Sequence, residues 1–231
     1  MVDNDMIVKN PLRALGLEEE AGKGVQSMGL IMARAGLGKT AILVQFALDC
    51  ILQGNRVLHV SIGESVDKTR VWYDDILSLW TEGEKLEMIP GIMKNRMIMT
   101  FKESAFSKAV LEERFDDLVQ QDIFRPECLI VDGYDFESNT KESLQELRNF
   151  MDERGLKTIW FSATSHRGDN RVSADGVPAP CHDVASLFET VLLINPAGDE
   201  MELAILKCDS SVVDPSATLT LDPSTMLVKK R

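Results

Sequence analysis

Cysteine is scarce in this sequence, and its spacing excludes several classes of site. The 231 residues contain four cysteines, and no two of them form the C-x-x-C pair that is typical of zinc and redox sites. No signal-peptide pattern opens the chain, and no apolar run is long enough for a membrane-spanning helix. We therefore expect a reduced, cytoplasmic protein with no membrane partner, in which Cys181 and His182 are ordinary loop or core residues. The cysteines are Cys50, Cys128, Cys181 and Cys208.

Positive charge is also in short supply. Lys and Arg total 25 against 37 Asp and Glu, which gives a net charge of −12 at pH 7. This balance opposes non-specific capture by the phosphate backbone of DNA or RNA, although a local basic loop stays open. The length and the 44% hydrophobic content fit one large domain. We expect this domain over residues 28–231, preceded by an N-terminal arm or flap over residues 1–27.

Short apolar runs alternate with amphipathic stretches along most of the chain. Near-continuous apolar strands separated by helices are typical of a mostly parallel sheet covered on both faces. Turns alone separate the last three strands, which indicates an antiparallel or mixed extension of an α/β fold. Asn139 and Glu142 resemble a helix-capping pair. The predicted strands are Met28–Met32, Val57–Ile62, Met97–Phe101, Cys128–Asp132, Thr158–Ser162, Val191–Ile194, Met201–Lys207 and Thr218–Leu221. The predicted helices are Lys39–Leu52, Asp67–Leu79, Ser107–Gln120 and Thr140–Glu153.

A glycine-containing loop follows the first predicted strand and opens the first long helix. Residues 33–40 read ARAGLGKT, which matches the phosphate-binding pattern G-x-x-x-x-G-K-[ST] except at Ala33. Backbone N–H groups of such a loop surround a triphosphate, Lys39 reaches its terminal oxygens, and Thr40 offers its hydroxyl to Mg²⁺. We expect the alanine to alter the turn slightly and to leave binding intact. The predicted nucleotide-binding residues are Ala33, Arg34, Ala35, Gly36, Leu37, Gly38, Lys39, Thr40 and Ala41.

An acidic residue ends the predicted strand Cys128–Asp132. In a parallel sheet, a carboxylate at the carboxyl end of that strand lies beside Thr40 and orders the ligands of Mg²⁺. Asp132 is therefore the predicted metal-site carboxylate. Asp135, three residues further on, is the alternative ligand if this register is misjudged, and otherwise a solvated turn residue.

Other polar side chains follow predicted strands at the same edge of the sheet. Glu64 comes directly after Val57–Ile62 and is a candidate to polarise an attacking water. The alternative for Glu64 is a glutamate that stabilises the start of a helix through the helix dipole. Ser165 and His166 follow the fifth predicted strand, where a hydrogen-bonding side chain can report the γ-phosphate to the long loop Gly168–Pro180.

These motifs, in this order, resemble the RecA/KaiC/DnaB-type P-loop ATPases. The resemblance covers about Gly29–Lys207 and is carried by ARAGLGKT, VLHVSIGES, CLIVDG, FSATSHR and LAILK. It implies a three-layer RecA-like P-loop NTPase fold, ATP and Mg²⁺ as ligands, Glu64 as the hydrolytic glutamate and His166 as a polar switch. It also implies homo-oligomeric rings or filaments, with Lys207 at the position of a basic finger that completes a neighbour's site.

The sequence departs from this family at several positions. Ala33 replaces the first glycine of the loop, and Cys208 follows Lys207 where relatives often carry a second basic residue. The loop Gly168–Pro180 holds Arg171 as its one basic residue, which argues against a recombinase or helicase. We expect an ATPase that couples nucleotide state to assembly or partner binding. The alternative is a nucleotide-dependent protein-interaction module with little or no hydrolysis, and phosphotransfer ranks below both.

Three aromatic residues fall on or just after one predicted helix. Trp72, Tyr73 and Trp80 lie among Ile and Leu residues, a pattern that favours packing in the core or at an interface. Base stacking on a nucleotide is the alternative interpretation.

Overall fold

The computed structural model describes residues 10–17, 26–81, 89–211 and 213–229, which build one sheet with helices on both faces. Strands β1 to β8 span Ser27–Ala33, Val57–Ile62, Arg96–Phe101, Cys128–Asp132, Thr158–Thr164, Thr190–Ala197, Glu200–Cys208 and Thr218–Leu221. Helices α1 to α6 span Pro11–Ala14, Lys39–Leu52, Val66–Trp80, Ile89–Met93, Lys108–Gln120 and Lys141–Arg154. Within these ranges, none of the helices has the length and apolar character needed to cross a bilayer.

The sheet is mostly parallel and has the order β3-β2-β4-β5-β1-β6-β7-β8. The first six strands in this order, from β3 across to β6, pair in parallel. Strand β7 then pairs with β6, and β8 with β7, both antiparallel. This confirms the predicted α/β class, the mostly parallel sheet and the antiparallel strands at the C-terminal end. The bounds of β2, β4 and β8 agree with the prediction, and the other strands extend slightly further.

The two faces of the sheet carry separate hydrophobic cores. Along β4, Ile130 packs into the core under α2 and α3, whereas Leu129 and Val131 pack into the core under α5 and α6. Successive side chains of a strand point to opposite faces of the sheet. A strand whose side chains are apolar on both faces must therefore be covered by other elements on both faces. The continuous apolar runs of the sequence are therefore explained by helices on both sides.

Helix α2 lies inside the protein, as its apolar residues on all sides predict, and residues 10–17 cover part of it. Asn10 donates a hydrogen bond to the backbone oxygen of Gln45 at 2.6 Å, and Arg13 forms an ion pair with Asp49 at 2.5 Å. Leu12 and its neighbours Leu15 and Leu17 are buried in the same core. The rest of the predicted N-terminal arm, residues 1–9 and 18–25, lies outside the described residues.

The start of α6 corrects one boundary. Thr140, not Asn139, is the N-cap residue, and its hydroxyl accepts a hydrogen bond from the backbone N–H of Ser143 at 3.3 Å. Asn139 instead donates its side-chain amide to the backbone oxygen of Asp135 at 2.7 Å. Both residue types cap helices well, and here the turn made by Asp135 uses the asparagine.

Candidate functional site

The carboxyl ends of four parallel strands meet at one edge of the sheet. Ala33 at the end of β1 pairs with Thr164 of β5, and Ser61 near the end of β2 pairs with Asp132 of β4. The loops that follow these strands therefore converge. In open α/β sheets, ligands bind in the crevice outside this edge.

The loop between β1 and α2 has the backbone that the glycine pattern predicts. Gly36 and Gly38 adopt φ angles of 77° and 80°, in the left-handed region that favours glycine. Gly38 is the N-cap of α2 and has no side chain with which to cap it. The first backbone N–H groups of this 14-residue helix therefore face the loop without a side-chain acceptor. Such a helix start attracts an anion.

Ala33, which departs from the loop pattern, is the last residue of β1, and its φ angle is not positive. Its backbone oxygen accepts a hydrogen bond from the N–H of Ser165 at 3.0 Å, which ties the loop after β5 to the end of β1. The alanine methyl group is thus accommodated in extended backbone.

Lys39 lies at the first turn of α2, partly buried in the cleft. Its ammonium group donates to the backbone oxygen of Arg34 at 3.4 Å, within the same loop. Burial lowers the pKa of Lys39, and the nearby Asp132 carboxylate offsets part of this shift. An anion placed between Lys39 and the loop would restore favourable charge to this buried cation.

Thr40 at the start of α2, Asp132 at the end of β4 and Ser162 on β5 form a chain of hydrogen bonds. Thr40 Oγ1 donates to Asp132 Oδ2 at 2.6 Å, and Ser162 Oγ donates to Asp132 Oδ1 at 2.5 Å. The backbone N–H of Gly133 in turn donates to Ser162 Oγ at 3.1 Å. Thr40 and Asp132, the two predicted metal residues, are therefore brought together. Hydroxyl and carboxylate oxygens are the hard ligands that Mg²⁺ prefers.

Glu64 precedes Ser65, the N-cap of α3, so it lies just outside the helix. Its carboxylate forms an ion pair with Lys68, with 2.6 Å between Glu64 Oε1 and Lys68 Nζ. The Glu64 side chain is 47% exposed and lies in the cleft rather than in the core. Glu64 thus has the position that both interpretations predict: it precedes the first turn of α3, and it lines a cleft together with residues 36–40.

Two adjoining clefts, each of about 310 Å³, open beside the phosphate loop. They share Lys39, Thr40, Glu64 and Asp132. The first cleft is further lined by loop residues 36–38 and by Ser61, Lys68, Thr69, Trp72, Met201, Pro223, Ser224 and Met226. The second is further lined by Ile62, residues 133–137, Ser162, Thr164, His166 and Pro180. The structure thus gathers the predicted phosphate, metal and water-activating residues around one space.

His166 lines the second cleft, and its Nε2 lies 3.1 Å from Glu137 Oε1. Both side chains are largely exposed. Asp135 lines the same cleft, but its carboxylate accepts hydrogen bonds from the backbone N–H groups of Glu137 and Ser138, each at 3.0 Å. The hydrogen bonds from Ser138, with a smaller contribution from Glu137, hold the pKa of Asp135 below its usual value. Asp135 therefore stabilises a turn, and Asp132 occupies the position beside Thr40.

Lys207 lies far from these clefts within its own chain. It pairs with Val191 near the start of β6, at the opposite edge of the sheet. Its ammonium group contacts the backbone oxygen of Phe188 and the Asp209 carboxylate, and the side chain is only 15% exposed. A role in a neighbouring subunit stays a prediction, and it requires Lys207 to leave these contacts.

Two parts of the site, Ser162 and the C-terminal turn, were missed from the sequence, and the role of Trp72 was left open between packing and base stacking. Ser162 is a polar residue in an apolar strand, which is a signal that the sequence offered. Trp72 is partly buried: it packs against the core and also lines the first cleft. Tyr73 and Trp80 are buried. The turn Pro223–Met226 reaches the loop from the C-terminal end, and a Cβ built on Gly38 would lie 2.6 Å from the Met226 side chain.

No protein-family model and no curated protein matches this sequence.

Proposed function

We propose that this protein binds ATP with Mg²⁺ and hydrolyses it, as a member of the RecA/KaiC-like P-loop ATPases. The observation that carries the proposal is the convergence of the Gly36–Thr40 loop, Asp132 and Glu64 on the first cleft, with Lys39, Thr40, Asp132 and Glu64 also lining the second. A helix start without a side-chain cap, a partly buried lysine and a hydroxyl–carboxylate pair are parts that phosphoryl chemistry uses. The three-layer RecA-like architecture is part of the proposal.

Each part has a chemical role in this proposal. The N–H groups of the loop and Lys39 bind the phosphates, and Thr40 and Asp132 hold the metal ion. A metal ion held there would supply positive charge to offset that of the β- and γ-phosphates. Ser162 fixes the Asp132 carboxylate by occupying its second oxygen. Glu64 accepts a proton from the water whose oxygen bonds to the γ-phosphorus, the bond from that phosphorus to the β–γ bridging oxygen breaks, and ADP and phosphate are released.

The outer part of the first cleft suits the nucleoside. Trp72 offers an aromatic face, and Pro223 and Met226, which line the same cleft, offer apolar contacts. Base stacking on aromatic rings tolerates every base. We therefore propose that Trp72 contacts the base and that the phosphates determine most of the affinity.

His166 is the proposed link between nucleotide state and the loop Gly168–Pro180. It follows β5 directly, beside Ser165, whose N–H is bonded to the end of β1. A γ-phosphate beside the residues that the two clefts share would compete with Glu137 for the imidazole. Movement of His166 would then alter the loop and the surface it presents to a second copy or a protein partner. We place this cycle in the cytoplasm.

A second candidate function is a nucleotide-dependent interaction module with little or no hydrolysis. Two contacts favour it. The Lys68 ammonium group donates to Glu64 Oε1 at 2.6 Å and so occupies an oxygen that would otherwise accept a hydrogen bond from the attacking water. Lys207 is held by Phe188 and Asp209 of its own chain, away from a neighbour's nucleotide. Under this candidate, ATP binds and fixes a surface without turnover.

The test is an ATPase assay on the wild type and on Glu64→Gln, with oligomer mass recorded in parallel by light scattering. Loss of the general base should lower the hydrolysis rate by roughly 10²–10⁴-fold without loss of ATP binding. Glu113→Gln, on the exposed face of α5, is the matched control. Equal turnover in wild type and Glu64→Gln would remove Glu64 from the mechanism. Binding without turnover in the wild type would select the interaction module.

A further inference from the structure

We infer that Lys68 is a second phosphate-binding lysine, which distinguishes a triphosphate from a diphosphate by exchanging Glu64 for the γ-phosphate. The inference rests on the proposed function, since it assumes a nucleotide in the clefts beside the loop. It assigns to this chain a γ-phosphate contact that the phosphate-loop pattern does not contain.

The position of Lys68 is set by the start of α3. Ser65 caps this helix by accepting a hydrogen bond from the backbone N–H of Lys68 at 3.3 Å. The Lys68 side chain therefore leaves the first turn of the helix and points back past the cap. Its ammonium group reaches Glu64 Oε1 at 2.6 Å, and both side chains line the first cleft with the phosphate loop.

The two lysines of this cleft are in comparable situations. Lys39 donates to the backbone oxygen of Arg34, and Lys68 donates to the Glu64 carboxylate. Each ammonium group is thus held by an oxygen of the protein at the edge of a space that loop residues 36–38 also line. A triphosphate offers stronger, charged acceptors to both of them.

The charge of the ligand favours the exchange. Lys39 and a divalent cation leave part of the triphosphate charge uncompensated. Lys68 is the remaining lysine that lines the first cleft. The Glu64–Lys68 pair itself is weak, because the side chains are 47% and 61% exposed, and such pairs contribute little. Lys68 can therefore leave Glu64 at low cost. A γ-phosphate gives its ammonium group a new charged acceptor, whereas a ligand that ends at the β-phosphate does not reach it.

The exchange also has a consequence for Glu64. While the Lys68 ammonium group donates to Glu64 Oε1, it occupies a position from which a water could donate to that oxygen, and its departure opens this position. Arrival of the γ-phosphate thus frees the base at the moment when there is a bond to hydrolyse. Lys68 acts on Glu64 as a positioning residue in addition to contacting the phosphate.

Arg70 on the same helix provides a matched control. It carries the same charge, is 56% exposed, and pairs with Asp67 at 3.3 Å. It does not appear among the residues that line either cleft. Neutralising Arg70 therefore changes the net charge of α3 without touching the proposed contact.

The experiment measures affinity for Mg²⁺ with AMP-PNP, a non-hydrolysable triphosphate, and for Mg²⁺ with ADP by calorimetry. Lys68→Met should weaken AMP-PNP binding by about tenfold or more, the scale of a charge-assisted hydrogen bond, and change ADP binding by less than about twofold. Lys68→Arg should recover most of the loss, and Arg70→Met should match the wild type. Glu64→Gln should tighten AMP-PNP binding by up to about fivefold, because Lys68 is then free. That gain should vanish in the double variant with Lys68→Met.

The outcomes separate this inference from the function on which it rests. If Lys68→Met matches Arg70→Met, or weakens both nucleotides equally, the inference is wrong and the ATPase proposal stands. A gain in Glu64→Gln that persists in the double variant also contradicts it. If the wild type binds neither nucleotide, the proposed function fails and the inference fails with it.

Discussion

Thr40 Oγ1 lies 2.6 Å from Asp132 Oδ2, although β5 separates the strand of Asp132 from the strand that leads to Thr40. The contact is possible because all three strands end at the same edge and Ser162 of β5 bridges to the other carboxylate oxygen. The two predicted metal residues are 92 positions apart in sequence. Their contact is the part of the proposed site that is most open to direct test.

Removing the Asp132 charge should make ATP binding independent of Mg²⁺. We expect Asp132→Asn to reduce the affinity for Mg²⁺-ATP by about 10–100-fold, to the value measured in EDTA, since the amide is a poorer ligand for a hard cation. Calorimetry with and without Mg²⁺ measures this. Asp135→Asn is the control, because Asn also forms the turn that Asp135 makes. If Asp135→Asn removes the Mg²⁺ dependence and Asp132→Asn does not, the metal assignment is reversed.

Trp72 should contribute to nucleoside binding and not to phosphate binding. Loss of base stacking in Trp72→Ala is expected to weaken ATP binding by roughly tenfold and to leave inorganic triphosphate unaffected. Leu79→Ala, an exposed apolar truncation on the same helix, serves as the control. A parallel loss for both ligands would point to damage in the cleft instead of base contact.

Acidification should destabilise the fold through His59 before most carboxylates respond. His59 is fully buried on β2, bonded to the Tyr73 hydroxyl at 2.9 Å, and burial lowers its pKa from 6.5 to about 4. The charge of Asp132 opposes this shift, and that of Arg96 adds to it. The unfolded chain therefore binds a proton that the folded chain refuses, so stability is complete above about pH 6.5 and falls toward pH 4.

The size of this effect is about 2 kcal/mol between pH 7 and pH 5 for one histidine with such a shift. Urea unfolding at these pH values measures it. In His59→Phe the fall should be much smaller, even if the variant is less stable at neutral pH. An equal fall in the variant would show that other groups cause the acid sensitivity.

The strands were predictable because they are buried and their sequences are therefore almost entirely apolar. Val57–Ile62 and Cys128–Asp132 are short apolar runs with glycine or polar neighbours, and the observed bounds agree with the predicted ones. Helix α2 was equally readable, since a helix that is apolar all round must lie inside the protein. The left-handed turns between β1 and α2 were also predictable, because Gly36 and Gly38 supply the positive φ angles that they require.

Other parts of the site depend on contacts between distant segments, which no local pattern encodes. Gln45 on α2 donates to the backbone oxygen of Met226, 181 residues away, and this bond helps to hold the C-terminal turn over Gly38. The sequence pattern favours a packing role for Trp72, and this residue does pack against the core, although it also lines the first cleft. Ser162 becomes meaningful only when Asp132 on the neighbouring strand is known to face it.

The most direct test of the central claim is calorimetric titration of Mg²⁺-ATP into the wild type and Lys39→Ala. Lys94→Ala, just before β3 and therefore at the opposite edge of the sheet, is the control. We predict measurable binding by the wild type and the control, and a loss of more than about 100-fold in Lys39→Ala, because the lysine is partly buried beside the phosphates. Equal affinity in Lys39→Ala and the wild type would contradict phosphate binding by this loop.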